Sequence, residues 1–271
     1  MKINNKKLLV DFISDIHIDF YNYEIIAQYL IDEKASKILI ISGDIGHYIK
    51  DNLNFVKILA NVYEHVLIVL GNHDLYIEDL FNDSKLKMEY SIKEYNKIKN
   101  VHCFNGDTIE IENIVFGGSM SWYDGSYIKK YFNNMFREDI LNLWKKTIYD
   151  SEKIFFNNKN KIDFLSQIFM SEYLKLNNIK NEIDVMITHI NPSILQIHQN
   201  KRFEDNITTG FFCFDGYNLY KDTNIKYWFF GHTHDNLYFK HENIEFLCNP
   251  FGYPRESMKK YKFLNSILLI V

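Results

Sequence analysis

Proline is nearly absent: three residues in 271, at positions 192, 250 and 254. That scarcity excludes a Pro-rich linker between domains, and Pro250 with Pro254 marks a single short loop. Cysteine is as rare, and Cys103, Cys213 and Cys248 show no CxxC spacing. An odd, scattered set argues against a disulfide framework or a structural zinc knuckle and is expected of a reducing compartment. Arginine is confined to Arg137, Arg202 and Arg255, so lysine carries nearly all the positive charge. No stretch approaches the roughly 18 apolar residues of a membrane span. In the opening MKINNKKLLVDFISDIH, Asp11 and Asp15 interrupt the apolar run that a signal peptide needs. The expectation is a soluble, unprocessed cytoplasmic protein.

Net positive charge is also lacking. Lys plus Arg is 31 against 35 for Asp plus Glu, a formal charge of −4. Long nucleic acid and anionic membranes are therefore disfavoured as partners. Hydrophobic residues at 46% and charged residues at 24% suffice for a sizeable core and exclude general disorder.

Organisation follows from hydrophobic period. Leu8–Ser14, Ile38–Ser42 and Val66–Leu70 are short β-branched runs, while Tyr23–Lys34 and Ile49–Glu64 carry apolar residues at helical spacing. Continuous apolar strands separated by helices predict βαβ units in a sheet covered on both faces. Residues 108–116 read as a hairpin, and strand signals return at Asp184–Thr188, Lys226–Phe230, Asn236–Lys240, Ile244–Cys248 and Phe263–Val271. Between them, residues 122–181 form an aromatic, Lys/Asn-rich tract of helical spacing. The expected organisation is one domain, 1–271, with a helical cap insert at about 122–181.

The predicted strands end in polar clusters: Asp15-Ile16-His17, Gly43-Asp44, Gly71-Asn72-His73-Asp74, Thr188-His189 and Gly231-His232-Thr233-His234. Carboxyl ends of strands line the functional crevice of an open α/β sheet, so five such ends predict one polar pocket. On extended backbone i and i+2 point the same way, pairing Asp15 with His17 and His232 with His234. The glycines before Asp44, Asn72 and His232 permit tight turns or close backbone approach. Carboxylate, imidazole and amide oxygen suit Mn, Fe, Zn, Ni or Mg. Seven such side chains exceed one ion's needs; two ions about 3.5–4 Å apart, sharing a carboxylate, would use them all.

In order, DIH, GDIG, GNHD, THINP and GHTH resemble the blocks of the calcineurin-like metallophosphoesterases, in outline over residues 8–255. The resemblance implies a four-layer α/β/β/α sandwich of two mixed sheets flanked by helices. It implies that Asp15, His17 and His234 hold one metal, that Asn72, His189 and His232 hold the other, and that Asp44 bridges them. His73 would lie over the substrate, with Asp74 orienting its ring. The implied reaction is metal-dependent hydrolysis of a phosphate mono- or diester, with manganese the first-choice metal. A hydroxide shared by two cations would be the nucleophile, its pKa drawn from about 15.7 toward about 7. The substrate would be a small phosphorylated molecule or a nucleotide.

Other residues carry weaker signals. The loop Asn249–Glu256 resembles an N-P-x-G-Y-P stretch of some bacterial members, and Arg255 or Tyr253 is expected at the substrate rim. Trp122 and Tyr123 are candidates for the site wall, although aromatics at this spacing are usually core. His47 follows GDIG closely enough to line the mouth, and His198 is a similar candidate, but both are weaker candidates than the motif residues. The alternative function is a catalytically idle scaffold of the same fold that binds a protein partner. A haloacid-dehalogenase-type phosphatase is excluded because position 17 is His where a second Asp is required.

Overall fold

The computed structural model describes residues 6–132, 135–156, 164–258 and 262–271. The β-branched runs form β1 (Lys7–Ile13), β2 (Ile38–Ser42) and β3 (His65–Val69), with α1 (Tyr23–Asp32) and α2 (Ile49–Ala60) between them. Asn22 caps α1, its side-chain oxygen accepting from the Glu24 and Ile25 amides, so two orphan donors of the first turn are satisfied. Then come α3 (Ser84–Tyr95), β4 (Val101–Cys103) and the hairpin β5 (Asp107–Ile111) and β6 (Ile114–Gly118). The expected insert supplies α4 (Ser126–Tyr131), α5 (Arg137–Thr147), α6 (Asp150–Lys153) and α7 (Phe164–Ile179). The chain closes with β7 (Val185–Ile187), α8 (Tyr217–Tyr220), β8 (Tyr227–Phe230), β9 (Leu237–His241), β10 (Ile244–Cys248), α9 (Pro254–Ser257) and β11 (Asn265–Ile270).

Two mixed sheets result. One has the order β11-β1-β2-β3-β4, parallel except for β11; the other runs β5-β6-β7-β8-β10-β9, antiparallel only at its two edges. The pleat explains the layers. Val10, Phe12, Ile38, Ile40, Leu67 and Val69 face inward and join Phe116, Val185, Ile187 and Phe229 of the opposite sheet in one apolar cluster. Phe12 and Phe229 meet with ring centroids 5.0 Å apart. Their strand neighbours Leu39, Ile41, Val66 and Ile68 point outward into a second cluster with Leu30, Phe55 and Leu59 of the helices. Sheets buried on both faces need the continuous apolar strands seen in the sequence.

The insert is built into that outer cluster through Ile128, Ile140, Leu141, Trp144, Leu176 and Ile179. Trp122 corrects an expectation: it is fully buried in the same cluster and does not wall a solvent-facing site. Cys103, Cys213 and Cys248 are buried free thiols. No helix among the described residues is long and apolar enough to cross a membrane.

Candidate metal centre

The loops leaving β1, β2, β3, β7 and β8 bring the five motifs to one end of the paired sheets. Local backbone there is unusual. Asp15, His17, Asp44, His232 and His234 all take positive φ, between 49° and 67°. For non-glycine residues this costs on the order of 1–2 kcal/mol each. Main-chain bonds fix the conformation: Asp15 N to Gly43 O at 3.0 Å, and Ile16 N and His17 N to Asp44 O at 2.8 and 3.1 Å. Extended i, i+2 geometry is therefore not what pairs these residues: Asp15 and His17 converge through left-handed backbone beyond the strand end, while His232 and His234 go to different donor groups. Gly43 takes a positive φ of 86°, whereas Gly71 is needed for close approach: a Cβ there would lie 2.1 Å from Asp44 Oδ1.

All seven expected ligands converge. His17 Nε2 and His234 Nε2 are 3.0 Å apart, and His234 Nε2 is 3.8 Å from Asp15 Oδ1. On the other side His189 Nε2 is 2.9 Å from Asn72 Oδ1 and 3.4 Å from Asp44 Oδ2. Asp44 lies between the sets, with its Oδ2 also 3.9 Å from His17 Nε2. Three groups of candidate ligand atoms emerge: Asp15, His17, His234; His17, Asp44, His73; and Asp44, His189, His232.

Outer partners turn the ring atoms inward. His189 Nδ1 meets Ser42 O at 2.8 Å, His232 Nε2 meets Phe211 O at 3.1 Å, and His234 Nδ1 meets Glu256 Oε2 at 2.8 Å. Each such acceptor holds the proton on the far nitrogen and frees the near one as a ligand, the usual arrangement around a metal-binding histidine. Asp15 and Asp44 are buried, and among the described residues their ion-pair partners are histidines alone. Buried carboxylates without a lysine or arginine, facing imidazole lone pairs, fit divalent cations.

Electrostatics follow the same geometry. Burial disfavours charge on both Asp44 and His189, but their proximity outweighs it. His189 is pushed up to about 9 and Asp44 falls well below the usual carboxylate range. Burial raises Asp15 and lowers His17. Burial also takes His73 and His232 down to about 3.

His73 sits at the rim of the centre, its Nε2 4.0 Å from Asp44 Oδ2. The expected orienting role of Asp74 is corrected. The Asp74 carboxylate accepts from Gly71 N at 2.8 Å, Asp44 N at 3.1 Å and Asn52 Nδ2 at 3.2 Å, so it braces the backbone of two motifs. The His73 ring is instead held by His47, whose Nε2 lies 2.7 Å from His73 Nδ1, and by stacking on Tyr76 at 4.4 Å. His47 was visible in the sequence, three residues past Asp44, but no spacing rule links it to His73.

Two further groups escaped the sequence reading. Glu256 supports His234 from the 249–256 loop, which lies beside residues 14–15 through Phe251 N to Ser14 O and Gly252 N to Asp15 O, both 2.8 Å. The same loop stacks Tyr253 on His17 at 4.4 Å and brings its hydroxyl 3.4 Å from His73 Nε2. Arg255 is exposed. The second group is Asp150, at the start of α6 and fully buried: it accepts from Asn72 Nδ2 at 2.7 Å, Tyr76 Oη at 2.7 Å and Tyr123 Oη at 2.8 Å. A carboxylate can only accept when ionised, so it faces the Asn72 amide nitrogen and turns Oδ1 toward His189. His198 belongs to none of this; it stacks on Phe239 at 4.1 Å and bonds Ser193 Oγ at 2.8 Å.

Comparison with known proteins agrees with the geometry. The chain is 24% identical over 303 aligned positions to uncharacterized protein L509 of Acanthamoeba polyphaga mimivirus, covering 97% of this chain and 98% of that one. Among solved structures it resembles the phosphopantetheinyl hydrolase PptH of Mycobacterium tuberculosis, with a TM-score of 0.76 at 14% identity over 97% of this chain and 96% of that one. It also resembles TT1561 of Thermus thermophilus, with a TM-score of 0.51 at 10% identity over 96% and 98% of the two chains. Identities this low show a shared fold only. The profile of calcineurin-like phosphoesterases matches residues 8–236, and with most of its length covered the chain belongs to the calcineurin-like phosphoesterase family.

Proposed function

We propose that this protein is a metal-dependent hydrolase of small phosphoesters, working as one domain with two divalent cations, manganese first, in the cytoplasm. The observation that carries the reading is the pair of donor groups sharing Asp44, each histidine but His17 backed by an outer acceptor. Asp15, His17 and His234 would hold one ion; Asn72, His189 and His232 the other; Asp44 would serve both. Bound there, two cations supply Lewis-acid stabilisation of phosphoryl charge and activation of water at neutral pH. The remaining work falls to the chain. His73, kept neutral by burial, can hold its proton at Nε2 if His47 donates to Nδ1. It would then face the leaving oxygen as a hydrogen-bond donor. Tyr253 covers His17 and His73 and excludes water from that side. A neighbour named as a phosphopantetheinyl hydrolase and the absence of net positive charge support a small-molecule substrate over long nucleic acid.

The manganese-loaded protein is expected to hydrolyse p-nitrophenyl phosphate or its bis-ester and to stop on chelation. Release of p-nitrophenolate that is unaffected by chelation contradicts the reading. Tyr253→Ala should raise KM about tenfold, with metal content unchanged, whereas exposed Arg255→Ala should shift it less than about twofold. The reverse order would move the substrate rim to Arg255.

Metal uptake should also be linked to protons. Because His189 titrates at about 9 in the metal-free protein, an ion displaces its proton at pH 7. Apparent affinity should then fall as pH drops from 9, by up to about tenfold per unit. Calorimetry in buffers of different ionisation enthalpy reads this directly; zero proton release at pH 7 would exclude His189 as a ligand.

A further inference from the structure

Beside the donor cluster lies a cavity of about 190 Å³ that the metal chemistry leaves unused. It adjoins the centre through two residues. Thr233, between His232 and His234, lines its edge, and Phe212, another wall, stacks on the His232 imidazole at 4.8 Å and 28°. A phosphoester held at the cations can therefore extend an attached group into it.

The lining defines that group. Phe203 and Phe212 give aromatic walls, Asn206 and Thr208 give neutral polar atoms, and the lining includes no lysine, arginine or histidine. Its one ionisable residue is Asp235, whose Oδ1 accepts from Asn200 Nδ2 at 2.6 Å and from the exposed Arg202 at 2.9 Å. Asn206 Oδ1 accepts from the Thr208 amide and hydroxyl at 3.0 and 2.8 Å, which directs the amide nitrogen to other partners. Among the described lining residues a second phosphate would meet a carboxylate and no cation, and the neighbouring Arg202 is engaged with Asp235 and the Phe203 ring; a neutral group with O–H or N–H donors would find acceptors and a ring to lie against.

We propose that this cavity is a specificity subsite for the uncharged, hydroxyl- or amide-bearing organic group of the phosphoester, favouring diesters of such alcohols over polyphosphates. The inference deepens the phosphoesterase reading and rests on it. Two esters with the same leaving group test it: methyl p-nitrophenyl phosphate, too small to enter, and thymidine 5′-(p-nitrophenyl phosphate), which carries a neutral polar group. Thr208→Trp fills the cavity while keeping the backbone amide that Asn206 binds; Phe203→Ala removes one wall at a half-exposed position. In the manganese-loaded protein, Thr208→Trp should raise KM for the thymidine ester at least about tenfold and Phe203→Ala several-fold. Both constants for the methyl ester should stay within about twofold. Equal shifts for the two esters, or none, overturn the subsite alone. Wild-type protein that cleaves p-nitrophenyl phosphate but neither diester also overturns the subsite alone, whereas cleavage of none of the three esters overturns the phosphoesterase reading and the subsite with it.

Discussion

Asp44→Asn should abolish phosphoester hydrolysis and weaken both metal positions together. Asp44 Oδ2 faces His189 at 3.4 Å and His17 at 3.9 Å, so one carboxylate serves both donor groups. Its Oδ1 meanwhile accepts from the His73 amide at 2.8 Å. An asparagine keeps the volume but offers one oxygen and an NH₂ that cannot ligate. It also removes the anion that holds His189 protonated, which leaves two buried donor sets with less negative charge to attract cations. A fall in kcat of at least about a thousandfold is expected, the scale of losing preorganised charge stabilisation at a phosphoryl centre. Elemental analysis should find less than one ion per chain. Thermal unfolding of the metal-free variant at pH 7 should come at a lower temperature than wild type, because the substitution removes one partner of a buried pair whose attraction outweighs its burial. Retention of two ions and of activity within tenfold would remove Asp44 from the centre.

Asp150→Asn should selectively weaken the ion position that includes Asn72. Three donors converge on the Asp150 carboxylate, and an amide in its place presents its own N–H to at least one of them. Asn72 Nδ2 and Tyr76 Oη share the acceptor Oδ1, and when the new N–H takes that place the Asn72 amide is free to turn its nitrogen toward His189 and lose its ligand oxygen. Loss of an outer-shell partner of this kind typically costs about 10–100-fold in metal affinity. The hydrogen bonds of Asp150 reach Asn72, Tyr76 and Tyr123 and not the Asp15, His17, His234 group, which should keep its ion, so the stoichiometry falls from two toward one at limiting metal. Tyr123→Phe deletes one donor but leaves the Asn72 bond, and should change neither stoichiometry nor affinity by more than about twofold. Both ions lost equally in Asp150→Asn would indicate general unfolding instead of a positioning role.

The parts legible in the sequence were those with a repeating physical cause. Short apolar runs end in polar clusters, and the strands they form carry every expected ligand to one edge. Elements without such a signal were lost. β4 has three residues, and α3 buries Lys87, paired with Glu78 at 3.5 Å, where an apolar residue would have marked the helix face. The left-handed backbone at Asp15, His17, Asp44, His232 and His234 is marked only weakly by residue type, since Asp and His are enriched at positive φ but occur mostly elsewhere. Asp150 sits in a Lys/Asn-rich tract 78 residues from Asn72, with no motif to announce it. The family resemblance sets Asp74 against the His73 ring, whereas its carboxylate bonds two backbone amides and Asn52. Trp122, a candidate for the site wall, is fully buried in the outer core cluster instead.

Anomalous diffraction from crystals grown with saturating manganese tests the central claim most directly. Two peaks should appear per chain, one bounded by Asp15, His17 and His234, the other by Asn72, His189 and His232, with Asp44 between them. A single peak, or ions bound away from Asp44, would contradict the account.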